Sequence, residues 1–298
     1  MITNALTVDV EEHYHAAIFR RGTSGRGAPA PESRVERNID RLLALMSDHR
    51  ARATFFVLGE VAALHPGMVR TIAREGHEIG SHGDRHENVD LQTPEQFRAD
   101  VRLAKARIED AAGLPVIGYR APNFSIGRAQ SWAYRILLEE GFRYDSSTHP
   151  ILHDRYGQPG APRFPYEVCR DGSDSLVEFP IGTARFLGVN VPIGGGGYFR
   201  LCPLTLTRLG FEHVNVVERR PVMFYLHPWE MDPGQPRPRM AWHHRFRLYV
   251  GIESQAAKLA ALFDRFRFGT AHEVLRSQGQ PARCSSVPPI AAGEPSSP

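Results

Sequence analysis

The chain has 298 residues, and its 42% hydrophobic and 23% charged residues are typical of a globular protein. Its 36 basic and 33 acidic residues are mixed along the sequence and leave a formal charge of +3, so we expect no nucleic-acid partner. The apolar runs fall short of the roughly 18–20 residues that cross a bilayer, so we expect no membrane span.

The first residues and the cysteines indicate a cytoplasmic protein. Met1–Asn4 runs directly into a strand-like pattern without a basic segment followed by an apolar one, so no signal peptide is expected. The three cysteines are widely spaced and lack Cys-x-x-Cys pairs, which indicates neither a disulfide framework nor a cysteine zinc site.

Strand and helix patterns alternate regularly along the first half of the chain. Thr93 and Gln96 form a capping box, so a helix should begin at Pro94 and end near Ala112, before Gly113. Short apolar runs bounded by turn residues predict strands on either side of this helix. The strands predicted here are Ala5–Val10, Ala53–Leu58, His77–Gly80, Val116–Arg120 and Phe142–Asp145.

The pattern is less regular in the second half. Residues 149–175 are rich in Pro, Gly, Arg and Asp, and we expect an ordered insertion or long loop there. Strands are predicted at Leu176–Pro180 and Val222–Leu226, and a last amphipathic helix at Glu253–Phe266. The Pro/Ser/Ala/Gly-rich residues 277–298 are expected to be a disordered tail.

Seven strands alternating with helices predict an α/β fold. We expect residues 1–276 to form one distorted (β/α) barrel domain with about seven parallel strands, and a doubly wound open sheet is the alternative. In a parallel barrel, the carboxyl ends of all strands open on the same face, where catalytic groups gather. The reactive residues at or just after predicted strand ends are Asp9, Glu11, His82, His86, Arg120, Asp145 and His227.

These side chains suggest metal-assisted hydrolysis of an amide or ester. His82 and His86 are four residues apart, a spacing that places both on one side of a helical turn, close enough to bind one metal ion. Two neutral imidazoles and one carboxylate are a common ligand set for a catalytic divalent ion. A second carboxylate would take a proton from water, an arginine would keep that carboxylate ionised, and another histidine could protonate a departing amine.

Four ordered motifs resemble those of the polysaccharide deacetylase (NodB-homology) family, carbohydrate esterase family four. The resemblance covers about Ala5 to Trp229. Longer strings, among them Gly195–Arg200 and His227–Pro233, are similar to the exosortase-associated subgroup, which is linked to exopolysaccharide loci, and a subgroup-specific segment is expected from about residue 230. The four motifs are Thr7-Val8-Asp9-Val10-Glu11, Ser81-His82-x-x-x-His86, Arg120-Ala121-Pro122 and Leu226-His227-Pro228.

The resemblance implies a metal-dependent hydrolase that removes the N-acetyl group from an N-acetylated amino sugar in a glycan or glycan precursor. It implies that Asp9 is the general base, that Arg120 orients Asp9, and that His227 is the general acid. His82 and His86 would be ligands of a divalent metal, for which zinc is expected from the ligand types. The implied substrate-binding residues are Leu226, which would line the acetyl pocket, Asp145 and Pro122.

The first motif departs from the family pattern. Val10 follows Asp9, where many members have a second, metal-binding aspartate. Side chains alternate along a strand, so Glu11 lies on the same face as Asp9 and is the predicted third ligand. A bulge or an early end of the strand would give this role to Glu12 instead.

Other interpretations remain open on the sequence alone. The altered motif is compatible with a metal-free amidohydrolase of the same fold, similar to the allantoinase-like relatives. A non-catalytic glycan-binding protein is a further alternative, although it would need neither a base nor an acid. An enzyme could act on a lipid-linked or nucleotide-linked precursor at the cytoplasmic face of the membrane. Tyr198, Phe199 and Trp242 are predicted to be core residues rather than a sugar-stacking platform, and Trp229 and Glu230 to give packing and support.

Overall fold

A computed structural model gives the architecture of most of the chain. Residues 280–298 of the predicted disordered tail lie outside the described part, whereas Ser277 and Gln278 belong to a helix. Within the described part, no helix is long and apolar enough to cross a membrane. The structure describes residues 1–15, 32–153, 156–238 and 240–279.

The strands form one large sheet and one hairpin. The large sheet has nine strands in the order β10-β1-β2-β3-β4-β5-β7-β6, with β11 paired to the start of β1, while β8 and β9 pair with each other. The strands of the described residues are β1 (Thr3–Val10), β2 (Thr54–Val57), β3 (Glu78–Ser81), β4 (Gly118–Tyr119), β5 (Tyr144–Asp145), β6 (Tyr166–Asp171), β7 (Asp174–Glu178), β8 (Thr183–Phe186), β9 (Val189–Pro192), β10 (Met223–Leu226) and β11 (Arg267–Gly269).

The predicted α/β class with a mostly parallel sheet is confirmed. Neighbouring strands from β10 through β1 to β5 and β7 all run parallel, and β6 pairs antiparallel with β7. Both faces of the sheet are covered, because all residues of β2 and β10 and all but the first of β1 are buried. This two-sided burial explains why the strands read as continuous apolar runs rather than as alternating ones.

Continuous strand pairing does not close the sheet into a ring within the described residues. Between β7 and β10, single backbone hydrogen bonds take its place: Gly182 N donates to Met223 O at 2.9 Å, and Tyr225 N donates to Gly194 O at 2.8 Å. Gly195 has a φ of 107°, and a Cβ there would lie 1.9 Å from the Tyr225 carbonyl oxygen. The run of four glycines therefore lets the backbone approach β10 closely.

Helices cover the outer side of the sheet. The predicted capping box is confirmed, since the Thr93 hydroxyl accepts from Gln96 N at 3.3 Å and Gln96 Oε1 accepts from Thr93 N at 2.8 Å. Gly113 ends the same helix with a φ of 69°. The helices of the described residues are α1 (Val35–Asp48), α2 (Gly59–Leu64), α3 (Pro66–Arg74), α4 (Pro94–Ala112), α5 (Trp132–Glu139), α6 (Gly196–Leu201), α7 (Leu204–Glu212), α8 (Trp242–Tyr249), α9 (Ile252–Phe263) and α10 (Ala271–Gln278).

A second, smaller apolar cluster is buried beside the sheet. It includes Phe56, Tyr144, Met223 and Tyr225, all buried, and is distinct from the main core between sheet and helices. The guanidinium carbon of Arg120 lies 4.4 Å from the centroid of the Phe56 ring. The fully buried Arg120 side chain thus packs against buried aromatic rings.

Candidate active site

One cavity of about 170 Å³ lies at the carboxyl ends of the parallel strands. Asp9 and Glu11 reach it from the end of β1, the two histidines from the loop after β3, and His227 from the end of β10. The strand-end positions identified in the sequence therefore meet in space. The predicted residues that line the cavity are Asp9, Glu11, His82, His86 and His227.

Arg120 fixes the position of Asp9. Its Nη1 donates to Asp9 Oδ1 at 2.7 Å and to the Thr7 hydroxyl at 2.7 Å. Its Nε donates to the Ser146 carbonyl at 3.0 Å, and its Nη2 donates to the Ser146 hydroxyl at 2.8 Å. Because both side chains are buried and Arg120 is fully hydrogen-bonded, this pair holds Asp9 in a single orientation.

Glu11, His82 and His86 form a possible metal-binding triad. One potential ligand atom from each lies within 4.8 Å of the other two. His82 Nδ1 donates to the Arg120 carbonyl oxygen at 2.8 Å, since a carbonyl can only accept, and this leaves the Nε2 lone pair free. Glu11 Oε2 and His86 Nε2 lie 2.7 Å apart, yet Glu11 Oε2 is buried without a hydrogen-bond partner among the described residues.

The charge states of the triad fit a divalent cation. Burial lowers the pKa of His82 to about 4, so this imidazole is neutral at pH 7, the form that binds metals. Burial also raises the pKa of Glu11, but the nearby His86 and His227 outweigh it and hold that pKa below its ordinary value. Glu11 and His82 therefore offer one anionic oxygen and one neutral nitrogen to a shared point.

The helical turn predicted for the two triad histidines is wrong. Both follow β3 in a loop, where His86 has a φ of 57° and Gly83 a φ of 80°. The loop is tied down by buried Asp84, whose Oδ1 accepts from Arg107 Nη1 at 2.7 Å. The ring centroids of His82 and His86 are 5.2 Å apart, so left-handed backbone in a fixed loop brings them together.

Glu12 faces away from the triad and binds the first residues of α1. Its Oε1 accepts from Arg34 N at 2.8 Å and from Val35 N at 3.1 Å. A carboxylate at this position satisfies backbone donors that have no partner in the helix. Of the two candidate third ligands, the structure therefore places Glu11 beside the histidines and Glu12 at a helix start.

His227 lies across the cavity from Asp9. Its Nδ1 is 2.9 Å from Glu230 Oε1, its Nε2 is 3.6 Å from Glu11 Oε1, and its ring stacks on Trp229 at 5.0 Å between centroids. Burial lowers the pKa of His227, but the hydrogen bond to Glu230 and the charge of Glu11 overcome this and raise the pKa to about 9. The imidazole is therefore protonated at neutral pH and able to give up a proton.

Glu230 has a larger place in the site than the sequence indicated. It is fully buried, its Oε2 accepts from Gln255 Nε2 at 2.9 Å, and Arg200 Nε lies 3.7 Å from the same oxygen. The position of Glu230 three residues after His227, with Pro228 between them, is a signal that could have identified the pair. Gln255 and Arg200 come from distant helices and carry no local signal.

The three predicted substrate-binding residues do not line this cavity. Leu226 is fully buried and is paired with Val8 in the sheet, and Pro122 is also buried. Asp145 accepts from the Ser147 hydroxyl at 2.7 Å, and burial raises its pKa. That these three residues contact a substrate remains a prediction.

The aromatic residues divide between core and surface. Phe199 is 1% exposed, as predicted for a core residue. Trp242 is 80% exposed, so its assignment to the core is wrong. It lies at the first position of α8, a helix that the sequence did not predict.

Two family models match consecutive parts of the chain. Residues 28–137 match the polysaccharide deacetylase family, and residues 146–276 match a domain of unknown function, DUF3473. The triad histidines and Arg120 fall in the first range and His227 in the second. Asp9 and Glu11 precede both ranges, so geometry alone joins them to the site.

Curated relatives are similar over part of their length. A peptidoglycan deacetylase of Helicobacter pylori is 33% identical over 147 residues, which is 49% of this chain and 45% of the relative. A chitooligosaccharide deacetylase of a Bradyrhizobium species is 33% identical over 150 residues, 48% of this chain and 66% of the relative. The chain thus spans about half of the first relative and less than two thirds of the second.

Solved structures share the fold. A Mycobacterium smegmatis protein assigned as a polysaccharide deacetylase superposes with a TM-score of 0.59 at 21% identity, covering 94% of this chain and 92% of that one. Puue allantoinase gives a TM-score of 0.59 at 16% identity, with 92% and 89% covered. These identities show the fold alone. The family matches agree with the resemblance seen in the sequence: residues 28–137 match the polysaccharide deacetylase family, and the adjoining DUF3473 match fits the expected subgroup.

Proposed function

We propose that this chain is a metal-dependent hydrolase that removes the N-acetyl group from an N-acetylated amino sugar in a glycan or glycan precursor. The observation that carries the proposal is the convergence of three sets of side chains on one cavity: a carboxylate–arginine pair, a triad fit for a metal, and a histidine–carboxylate pair. The deacetylases named among the relatives support the type of reaction.

Glu11, His82 and His86 would hold the metal ion. Two imidazoles and one carboxylate suit Zn²⁺, which we propose as the ion. The 2.7 Å separation between Glu11 Oε2 and His86 Nε2 and the free Nε2 of His82 support this assignment. When bound, a divalent cation supplies positive charge that polarises the acetamide carbonyl group.

The remaining residues move the protons. Asp9 accepts a proton from the water that attacks the carbonyl carbon, and Arg120 holds the Asp9 carboxylate in place through its hydrogen bond. His227 donates a proton to the amide nitrogen as the C–N bond breaks, so that the products are acetate and a free amine. Glu230 accepts from His227 Nδ1, which directs the proton on Nε2 towards the cavity.

The wider setting is part of the same proposal. We place Leu226, Asp145 and Pro122 behind the cavity, where they would shape the acetyl pocket and the substrate contacts. Residues 1–276 would act as a single domain, because β1 pairs with both β10 and β11. The resemblance to the exosortase-associated subgroup supports a role in exopolysaccharide biosynthesis. Action on a precursor at the cytoplasmic face of the membrane is a separate part of the proposal.

The test is acetate release from N-acetylglucosamine oligomers by purified protein. We expect release by the zinc-loaded protein, loss of release after dialysis against a chelator, and recovery when zinc is returned. Full activity in metal-free protein would instead favour a metal-free amidohydrolase. Bound zinc without acetate from any N-acetylhexosamine oligomer would count against deacetylation and favour a glycan-binding protein.

A further inference from the structure

The loop between the two triad histidines contains a buried carboxylate that the proposed mechanism does not use. Asp84 is 3% exposed, although it lies in a loop two residues from each of His82 and His86. Burial of a carboxylate costs free energy unless hydrogen bonds and an opposite charge compensate it. The partners of Asp84 therefore indicate what its burial achieves.

Helix α4 holds Asp84 by both its side chain and its backbone. Arg107 Nη1 donates to Asp84 Oδ1 at 2.7 Å, and Asp84 N donates to Asp100 Oδ2 at 3.1 Å. Asp100 and Arg107 are seven residues apart, about two helical turns, so they lie on the same face of α4. One face of the longest helix thus fixes the residue midway between the two histidines.

Helix α2 holds the same turn through its first backbone N–H groups, which have no partner within the helix. Gly59 N donates to Gly83 O at 2.9 Å, and Glu60 N donates to Asp84 O at 3.1 Å. A Cβ at position 59 would lie 2.4 Å from Asp84 Oδ1. Glycine at this position therefore leaves room for the buried carboxylate.

The backbone of this turn needs such support. Gly83 has a φ of 80° and His86 a φ of 57°, and the left-handed region is unfavourable for histidine. A strained conformation persists only where surrounding contacts determine it. His82 has its own support, since its Nδ1 donates to the Arg120 carbonyl oxygen at 2.8 Å. The contacts of Asp84 therefore determine where the second histidine lies relative to the first.

We infer that Asp84 is a positioning residue that sets the separation of the two triad histidines. Arg107 and Asp100 hold it in place and act through it. The inference rests on the proposed metal-dependent hydrolysis and adds the residues that determine affinity for the ion. Ligands that are already held at the right separation lose less conformational entropy on binding, so the ion binds more tightly. A loosened turn weakens binding although every ligand is still present.

Zinc affinity tests this positioning role without turnover. Arg107→Met removes the donor to Asp84 Oδ1 but keeps a long side chain, and competition with a zinc chelator should show binding about 10-fold weaker. Arg107→Lys keeps a cation on a long stem and should restore most of the affinity. The matched control is Arg102→Met on the same helix. Arg102 pairs with Glu140 at 2.7 Å, neither residue lines the cavity, and affinity should be unchanged.

Two further measurements separate positioning from a loss of folding. Urea unfolding of each metal-free variant establishes that the protein is folded before it is titrated. The visible absorption spectrum of the Co²⁺-loaded protein reports the geometry of the ligands and should change in Arg107→Met but not in Arg102→Met. Asp100→Ala removes the acceptor of the Asp84 N–H and replaces it with a good helix former, and it should weaken zinc binding about three-fold or more.

The possible outcomes distinguish this inference from the proposed function. Unchanged zinc affinity in folded Arg107→Met and Asp100→Ala overturns the inference, as does an equal loss in Arg102→Met. The expected losses of affinity, with no acetate release by the wild-type protein, would defeat the proposed deacetylation and leave the positioning role standing. Acetate release by a wild-type protein whose zinc affinity neither variant alters would do the reverse. A wild-type protein that binds no zinc overturns both.

Discussion

The two ends of the parallel sheet have cavities of different size, and the candidate catalytic groups lie at the end with the smaller cavity. At the amino ends of the strands lie two cavities of about 880 and 670 Å³, lined by residues such as Arg50, Arg52 and His77. The cavity at the carboxyl ends measures about 170 Å³. The smaller cavity nevertheless holds the candidate catalytic groups, so volume alone is a poor guide to the functional end.

The difference lies in how the charges are satisfied. At the amino end, Arg52 pairs with Glu273 at 2.8 Å while both remain about half exposed. At the carboxyl end, Arg120 and Asp9 are buried together, and the buried Glu11 Oε2 has no hydrogen-bond partner among the described residues. Buried charge with an unused lone pair indicates a ligand, whereas solvated charge does not.

Asp9→Asn should have the largest effect. Asparagine keeps the shape but cannot take up a proton, so kcat for acetate release should fall about 1,000-fold while bound zinc stays constant. The matched control is Asp40→Asn, at an exposed residue that lines an amino-end cavity and whose substitution should leave kcat unchanged. Acetate assays and metal analysis measure both. An active Asp9→Asn protein would remove the proposed base.

Glu11→Gln and Glu12→Gln separate two adjacent carboxylates. Glu11→Gln should weaken zinc binding about 100-fold or more, because a ligand with a full charge is lost. Glu12→Gln should keep zinc but lower the free energy of unfolding by about 1 kcal/mol, because the start of α1 loses its carboxylate. Zinc titration measures the affinity for the ion, and urea unfolding measures the free energy of unfolding. The opposite pattern would make Glu12 the ligand.

Glu230→Gln should reduce kcat about 10- to 100-fold with little change in zinc content. Glutamine can still accept from His227 Nδ1 but no longer stabilises a protonated ring. The control is Glu253→Gln, a charge loss at a residue that is 81% exposed. Steady-state kinetics measure the effect, and equal kcat values for the two variants would show that Glu230 has only a packing role.

The smallest expected effect concerns the stability contributed by His77, at the amino end of the sheet. Burial, helped by the charge of Arg52, lowers the pKa of His77 from 6.5 to about 4. His77 therefore binds a proton near pH 6.5 in the unfolded chain but only near pH 4 in the folded chain. The free energy of unfolding therefore falls as the pH drops through this window. After allowance for partial solvent contact, the loss is about 2 kcal/mol.

His77→Gln should flatten this pH dependence and leave acetate release at pH 7 unchanged. Glutamine can still accept from Ala53 N, which donates to His77 Nδ1 at 3.1 Å in the folded chain. Urea unfolding at pH 4.5 and pH 7 measures the difference. An identical pH slope in wild type and variant would contradict the assignment to His77.

The sequence predicted most of what depends on local pattern. Apolar runs predicted seven of the eight strands that pair in parallel, all but β11, and the capping box at Thr93 predicted the start of α4. Because catalytic groups followed those strands, their convergence at one end could also be anticipated. A second capping box, Thr270 with Glu273, marks the start of α10, beyond the last predicted helix.

Features that depend on tertiary contacts could not be predicted. The loop that carries His86 has left-handed backbone, and nothing in its spacing distinguishes it from a helical turn. Gln255 reaches Glu230 from 25 residues away in the sequence. Trp242 is aromatic, a class that is usually buried, and only its place at the edge of the described fold exposes it.

The neighbouring carboxylates Glu11 and Glu12 have different roles: Glu11 lies in the cavity, and Glu12 binds the start of α1. Strand β1 ends at Val10, so Glu11 follows the sheet directly and Glu12 is only one residue further along the chain. Insertion or deletion of a single residue at this junction would shift both side chains by one position, so that at most one of the two roles could still be filled by a glutamate. Loop grafts intended to alter specificity should therefore leave β1 and the residues through His15 unchanged, because the His15 ring stacks on that of His86 at 6.0 Å between centroids.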